Sequence, residues 1–355
     1  MLFRSYRQAL QLAPSLHDSR VALATCLQAM GEVQQALVEC AKVLKAAPDH
    51  AEAHWNYGLL LLLQGNYQSG FREYEWRWKK RRFTSPARDF AQPRWHGGNP
   101  SGKTVLVYAE QGYGDTLQFC RYLPLLVRQG AQVLLECHPP LQALMQTIEP
   151  AVTVVPLGSP LPGFDFQAPL LSLPYLFGST LETIPRTVPY LSAPAGRLPF
   201  WQSVVPAGNA CKVGLCWSGK NYPDPSRSCQ PKLLEPLKNI SGIEWVSLQT
   251  GEQSALPFPV TDLTLLLQDF ADTAALIEQL DLVITIDTAV CHLAGALGKE
   301  VWLMVPFAPD WRWGVSSAEC PWYPTMRLFR QKKAGEWQAV VQEVAEALAG
   351  WRQVP

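Results

Sequence analysis

From residue 104 to residue 305 the chain alternates short apolar, β-branched runs with helical ones. "TVLVY" is followed by "DTLQFCRYLPLLVRQG", then by "QVLLE", "PPLQALMQTI" and "VTVV". These are βαβ units, and such units form parallel sheets with right-handed crossovers. "LSAPAGRLPFWQSVVPAGNA" breaks the pattern. A second series starts at "KVGLCW" and runs through "PKLLEPLKNI", "EWVSLQ", "DTAALIEQL", "DLVITI", "TAVCHLAGALG" and "EVWLMV". The tail "EWQAVVQEVAEALAGW" has the pattern of an amphipathic helix. Two series, each starting its own sheet, predict two Rossmann-like α/β domains facing a cleft.

The first 80 residues follow a different rule, a period of 34. Pro14 recurs as Pro48, Leu23-Ala24 as Tyr57-Gly58, Gly31 as Gly65 and Ala36 as Gly70; Tyr6, Cys40 and Tyr74 form a further series. Small residues let two helices approach closely, and a proline ends the second. "WNYGLLLLLQGNYQSGFREYEWRW" resembles the tetratricopeptide repeat in its Trp, Gly, Gly-x-Tyr and aromatic positions. About two and a half repeats fit in residues 1–82, the first 14 residues matching only a second helix. A stacked array offers a concave surface to an extended peptide; equally, a short one can serve as a cap on the next domain. Residues 83–100, rich in Pro and Gly, read as a linker. The predicted organisation continues with an α/β domain over 101–195, a second linker over 196–211 and a second α/β domain over 212–355.

Composition narrows the function classes. Lys and Arg total 30, and so do Asp and Glu, so no global field attracts nucleic acid or an anionic membrane. Nine scattered cysteines without a CxxC pair offer neither a zinc motif nor a redox motif, and they suit a reducing compartment. The N-terminus lacks the apolar block of a signal peptide, and the run "GLLLLL" is too short to span a bilayer. A cytoplasmic protein is expected.

In open α/β sheets ligands bind beyond the carboxyl ends of the strands. The first such end, "TVLVYAEQGYGDTLQF", turns through Gly112-Tyr113-Gly114 into a helix that begins with Asp115 nearby. It is not a dinucleotide fingerprint, because the third glycine is missing. Asp115 reads either as a helix cap or as a carboxylate facing the cleft. The second end, "VGLCWSGKNYPDPSRSC", carries Ser218, Gly219 and Lys220, with Arg227 following: a solvated loop, or a phosphate cradle with lysine as the charge. The third, "VSLQTGEQ", offers Gln249 and Glu252, either surface groups or partners for a ribose hydroxyl. The fourth is "DLVITIDTAVCHLAGALG". There Asp287 ends a buried strand, and Thr288 and Ala289 supply first-turn amides that can bind phosphate. His292 lies about 140° round the helix from Asp287 and reads either as a core residue or as a ligand. No Gly-x-Ser-x-Gly elbow, HExxH or DxD string occurs, so no metal and no cofactor are expected.

"DTAVCHLAGALG" is similar to the D-[TS]-x-x-x-H-L-x-x-A-L-G segment of the ADP-heptose:lipopolysaccharide heptosyltransferases, and "EQGYGDTLQFCRYLPLL" to their N-terminal GxGD turn. The order of repeats, "EYEWRW" and these motifs resembles bacterial tetratricopeptide-repeat proteins with a heptosyltransferase-like domain, and "CPWYPTMRLFRQ" resembles that subgroup's C-terminal signature. The resemblance implies a GT-B fold with the nucleotide-sugar held mainly by the second domain. It implies Asp115 as general base, Asp287 at the donor sugar, Thr288 and Ala289 at the phosphates, His292 as motif histidine, Lys220 at a phosphate and Glu252 at the ribose. Ser218 and Gln249 are added as donor-side residues by their strand-end positions. The expected reaction is metal-independent, inverting sugar transfer to a hydroxyl of a glycan or a protein, a peptide on the repeat surface being one such acceptor. "NYPDPSRSC" lacks a histidine that related repeat proteins often carry, which leaves donor and acceptor identity open. Competing readings are a protein O-GlcNAc transferase-like enzyme using a UDP-sugar, a non-catalytic repeat adaptor, and a nucleotide-sugar epimerase acting on donor alone.

Overall fold

Gly31 and Gly65, 34 residues apart, adopt φ of 80° and 82°. That left-handed conformation reverses the chain at a helix end, and glycine enters it without a Cβ clash. In the computed structural model, which describes residues 2–148, 152–220, 224–251 and 255–351, each glycine joins two packed helices. The first pair is His17–Ala29 with Val33–Ala46, and the second is Ala51–Leu63 with Tyr67–Tyr74. Helix Leu2–Leu12 precedes them. Small residues keep the second pair close: a Cβ on Gly70 would lie 2.7 Å from Leu62 Cγ, and one on Gly58 would lie 2.9 Å from Glu73 Cβ. These helices belong to a unit made of Met1–Asp89, Pro174–Ile184 and Phe307–Ser317. Trp311, from far along the chain, meets Phe71 edge-on at 5.6 Å, and a Cβ on Gly31 would stand 3.0 Å from Phe307.

The other unit comprises Phe90–Leu173, Pro185–Pro306 and Ala318–Pro355, and it holds both sheets. The first contains β1 (Thr104–Tyr108), β2 (Gln132–Cys137), β3 (Val152–Pro156) and β4 (Phe166–Pro169), in the order β3-β2-β1-β4. The second contains β5 (Cys211–Cys216), β6 (Ile243–Ser247), β7 (Thr261–Asp262), β8 (Leu282–Ile286), β9 (Val301–Val305) and β10 (Met326–Arg330), in the order β10-β9-β8-β5-β6-β7. Every pairing between these strands is parallel, with Leu106 opposite Leu134 and Val213 opposite Leu282. Burial on both faces explains why β1, β8 and β9 read as unbroken apolar runs.

Three strands escape the sequence pattern for physical reasons. β4, "FQAP", is four residues long and ends in proline, β7 has two residues, and β10 alternates arginine with apolar residues at a sheet edge. The predicted C-terminal helix forms over Trp337–Gly350; Trp337, Val340, Val341, Val344 and Leu348 pack with Trp302, Met304 and Phe329 of the second sheet. "PKLLEPLKNI" winds as a tighter 3-10 helix, Pro231–Asn239, because Pro236 cannot continue an α-helical ladder. The interruption between the two series contains helix Leu198–Val204, whose buried Trp201 donates from Nε1 to Asp272 at 3.1 Å. Among the described residues no helix is long and apolar enough to cross a membrane.

Candidate functional site

The chain leaves β1 through a turn in which Gln111 takes φ 62°, and helix Tyr113–Phe119 then begins with Gly112 as its cap residue. Asp115 is the third residue of that helix, and its Oδ2 accepts from the Gly112 amide at 2.9 Å. The cap reading of Asp115 is therefore realised. The same bond fixes the carboxylate at the helix N-terminus, where the helix dipole favours its charge.

Gly114 decides what lies opposite. A Cβ at this position would stand 2.9 Å from His292 Cδ2, 3.6 Å from His292 Nε2 and 3.7 Å from Ala289 Cα. The absent side chain lets helix Tyr113–Phe119, which follows the first sheet's β1, press on helix Ala289–Ala296, which follows the second sheet's β8. Ala289 and His292 are thereby brought against the segment that carries Asp115. Thr288 precedes its helix in an extended conformation and makes no capping bond with its side chain; the Cys291 amide donates to the Thr288 carbonyl at 3.2 Å, and the amides of Ala289 and Val290 ahead of it keep their donor capacity.

The Ser218–Lys220 turn leaves β5, which lies beside β8 in the sheet. Gln249, from the end of β6, shapes it: Oε1 accepts from the amides of Trp217 at 3.0 Å and Ser218 at 2.7 Å, and Nε2 donates to the Ser218 carbonyl at 3.0 Å. The Gln249 amide is thus engaged with backbone. Lys220 is exposed, and its carbonyl accepts from Arg227 Nη2 at 3.1 Å. The Arg227 guanidinium covers Gly219, where a Cβ would meet Nε at 3.0 Å. Two cations therefore flank this turn. Glu252 lies outside the described residues.

Four further side chains join the site. His138 directly follows β2 at its carboxyl end. Its ring meets Tyr113 edge-on at 5.1 Å, and Tyr113 in turn meets Phe270 at 5.2 Å. Burial pushes the His138 imidazole down, and the charge of Asp115 pulls the other way. Applying the strand-end rule to "QVLLE" as well would have singled this histidine out. The buried Arg121 and Tyr323 and the half-buried Tyr190 form a chain that reaches His292, whose Nδ1 lies 2.9 Å from the Tyr323 hydroxyl. They come from three distant parts of the sequence, so no local spacing connects them.

Asp287, Cys291 and His292 bring a carboxylate oxygen, a thiol and an imidazole nitrogen within 4.8 Å of one another. Those donor types suit zinc or iron. The Cys291 thiol is fully buried 2.9 Å from the Thr288 carbonyl, and burial, with Asp287 beside it, pushes it well above its ordinary range. The thiol packs under the turn.

Two parallel-sheet α/β domains in series match a GT-B-like architecture. The glycosyl transferase family 9 structure from Veillonella parvula shares the fold, with 12% sequence identity and a TM-score of 0.54 over 71% of this chain and 98% of that one. The E. coli ADP-heptose lipopolysaccharide heptosyltransferase II aligns at 14% identity and a TM-score of 0.48, over 69% of this chain and 98% of that one. Among characterised sequences, Protein FlbA of Caulobacter vibrioides is 26% identical over 97% of this chain. The chain spans 63% of that relative's length. No protein-family model matches the chain.

Proposed function

We propose that the chain is an inverting glycosyltransferase that moves a sugar from a nucleoside diphosphate to a hydroxyl acceptor without a metal ion. The observation that carries this reading is the close approach at Gly114, which sets the Asp115 segment against the start of helix Ala289–Ala296. Asp115 takes the proton from the acceptor hydroxyl. The freed oxygen attacks the anomeric carbon, and the bond from that carbon to the diphosphate oxygen breaks on the opposite face, which inverts the configuration. Lys220, Ser218 and the amides at Thr288–Ala289 stabilise the departing diphosphate, and Asp287 accepts from a donor-sugar hydroxyl. Glu252 is assigned to the ribose, and Gln249 holds the phosphate turn in shape. In the same reading the paired N-terminal helices are tetratricopeptide repeats whose surface takes a peptide acceptor, and the protein works in the cytoplasm.

A thermal-shift screen of ADP-, GDP-, UDP-, CMP- and dTDP-sugars tests the reading. The true donor, at a hundred times its Kd, stabilises the fold by about 2.7 kcal/mol, and a chelator leaves that shift and the turnover unchanged. Loss of either on chelation rejects metal independence, and silence across the screen rejects the donor site. Lys220→Ala probes the phosphate cradle. Removing a charge-assisted contact is expected to weaken donor binding in calorimetry by about tenfold or more; unchanged affinity removes Lys220 from the site.

A further inference from the structure

Arg121 is buried, and its partners are unusual for a permanent cation. Nε donates to the Gln118 carbonyl at 2.8 Å, Nη1 to the carbonyls of Pro185 at 3.1 Å and Trp322 at 2.7 Å, and Nη2 to the Tyr190 hydroxyl at 2.8 Å. Among the described residues no carboxylate is hydrogen-bonded to it. A guanidinium is always protonated, and burying it without a counter-charge is costly. Its Cζ also stands 4.4 Å from the Tyr190 ring centroid and 4.5 Å from that of Tyr323. The positive charge therefore acts on both phenols.

The hydrogen-bond directions follow. Tyr190 Oη accepts from Arg121, and its own proton goes to the Leu117 carbonyl at 2.9 Å. Tyr323 Oη is 3.5 Å from Tyr190 Oη but only 2.9 Å from His292 Nδ1. Burial is the larger influence on the Tyr323 phenol and keeps its proton in place, while the Arg121 charge works against it and favours that hydroxyl as a donor over an acceptor. Were Nδ1 the protonated nitrogen, the Tyr323 proton would be left with the distant Tyr190 oxygen, which already accepts from a cation. The favoured arrangement is Tyr323 donating to Nδ1. The ring is further held from below: a Cβ on Gly295 would lie 2.5 Å from the Tyr323 ring, so that ring packs directly on the helix that carries His292.

We infer that Tyr323, polarised by the buried Arg121, is a positioning residue that fixes His292 as the neutral Nε2–H tautomer. That N–H is presented at the Gly114 crossing as a hydrogen-bond donor. What it meets rests on the transferase reading: it joins the first-turn amides of helix Ala289–Ala296 in stabilising the departing diphosphate. The tautomer itself does not depend on that reading.

Long-range proton–nitrogen spectra of the full chain labelled with ¹⁵N-histidine test the inference, the His292 signals being assigned by their loss in His292→Gln. The expected wild-type pattern at neutral pH is an unprotonated Nδ1 and a protonated Nε2. An Nδ1–H tautomer or an imidazolium overturns the inference. In Tyr323→Phe the second tautomer becomes populated, and kcat falls about tenfold, the worth of one catalytic hydrogen bond, while the donor KM moves less than about twofold. Unchanged kcat with an unchanged spectrum overturns the positioning role. Tyr190→Phe keeps the Tyr323–His292 bond and is expected to keep the Nε2–H pattern. Should Tyr323→Phe fail to fold, the wild-type spectrum still decides. A wild-type chain that moves no sugar yet shows Nε2–H supports the tautomer and overturns the transferase reading alone.

Discussion

Asp115→Asn slows sugar transfer by about 10²–10⁴-fold, the contribution of a positioned general base, and leaves donor affinity intact. The substitution isolates basicity from structure. An asparagine side-chain oxygen still accepts from the Gly112 amide, as Asp115 Oδ2 does at 2.9 Å, so the turn and the helix start survive. What disappears is the charge that takes the acceptor's proton. Calorimetry with the donor and steady-state kinetics with both substrates separate the two effects. Asp115→Asn with near-normal turnover would return Asp115 to a purely capping role, and another group would have to accept the proton. His138 is then the next residue to test, because its ring meets Tyr113 and its titration responds to Asp115.

The second large effect is expected at Gly114. A valine there forces a branched side chain into a space where even a Cβ stands 2.9 Å from His292. The imidazole cannot move aside easily, since Tyr323 holds its Nδ1 and Ala289 backs the same contact. The two helices must separate. Overpacking of this kind costs about 1–3 kcal/mol, measurable as a lower urea midpoint with an unchanged slope. Catalysis should suffer more than stability, because a shift of about 1 Å between reacting groups can cost about a hundredfold in rate. Gly114→Val with full activity would mean that this crossing does not set the reacting geometry. Gly295→Ala makes a useful contrast: its Cβ meets the Tyr323 ring at 2.5 Å, so it disturbs the support of His292 rather than the crossing itself.

Much of the architecture was legible in the residues because it rests on local rules. A short, β-branched apolar run such as "DLVITI" bounded by turn residues reads as a strand buried on both faces, and it forms the wholly buried β8. The 34-residue period pairs Gly31 with Gly65, and both take the left-handed conformation at a helix end. The strand-end rule found the Gly112, Ser218 and Asp287 turns without knowledge of strand order. It passed over His138, which carries the same positional signal but no motif. β4, β7 and β10 were missed because four residues ending in proline, two residues, and an arginine-bearing edge strand carry no strong periodicity.

Pairwise geometry across distant segments belongs to the folded chain alone. Gln249 was expected to face a ligand; in the fold its side-chain amide brackets the backbone of Trp217 and Ser218. Residues 307–317 lie just past a strand of the second sheet, yet they pack with the N-terminal helices through Phe307 and Trp311. Arg121, Tyr190 and Tyr323 are unremarkable one by one, and they become a chain leading to His292 only when three segments meet. The residues alone determined the strongly periodic strands and helices and the tight turns between them, because periodicity and turn chemistry act over a few positions. Tertiary structure decided which turns oppose one another and how each side chain is held, because hydrogen bonds and close packing depend on distances of a few ångströms between residues tens to hundreds of positions apart.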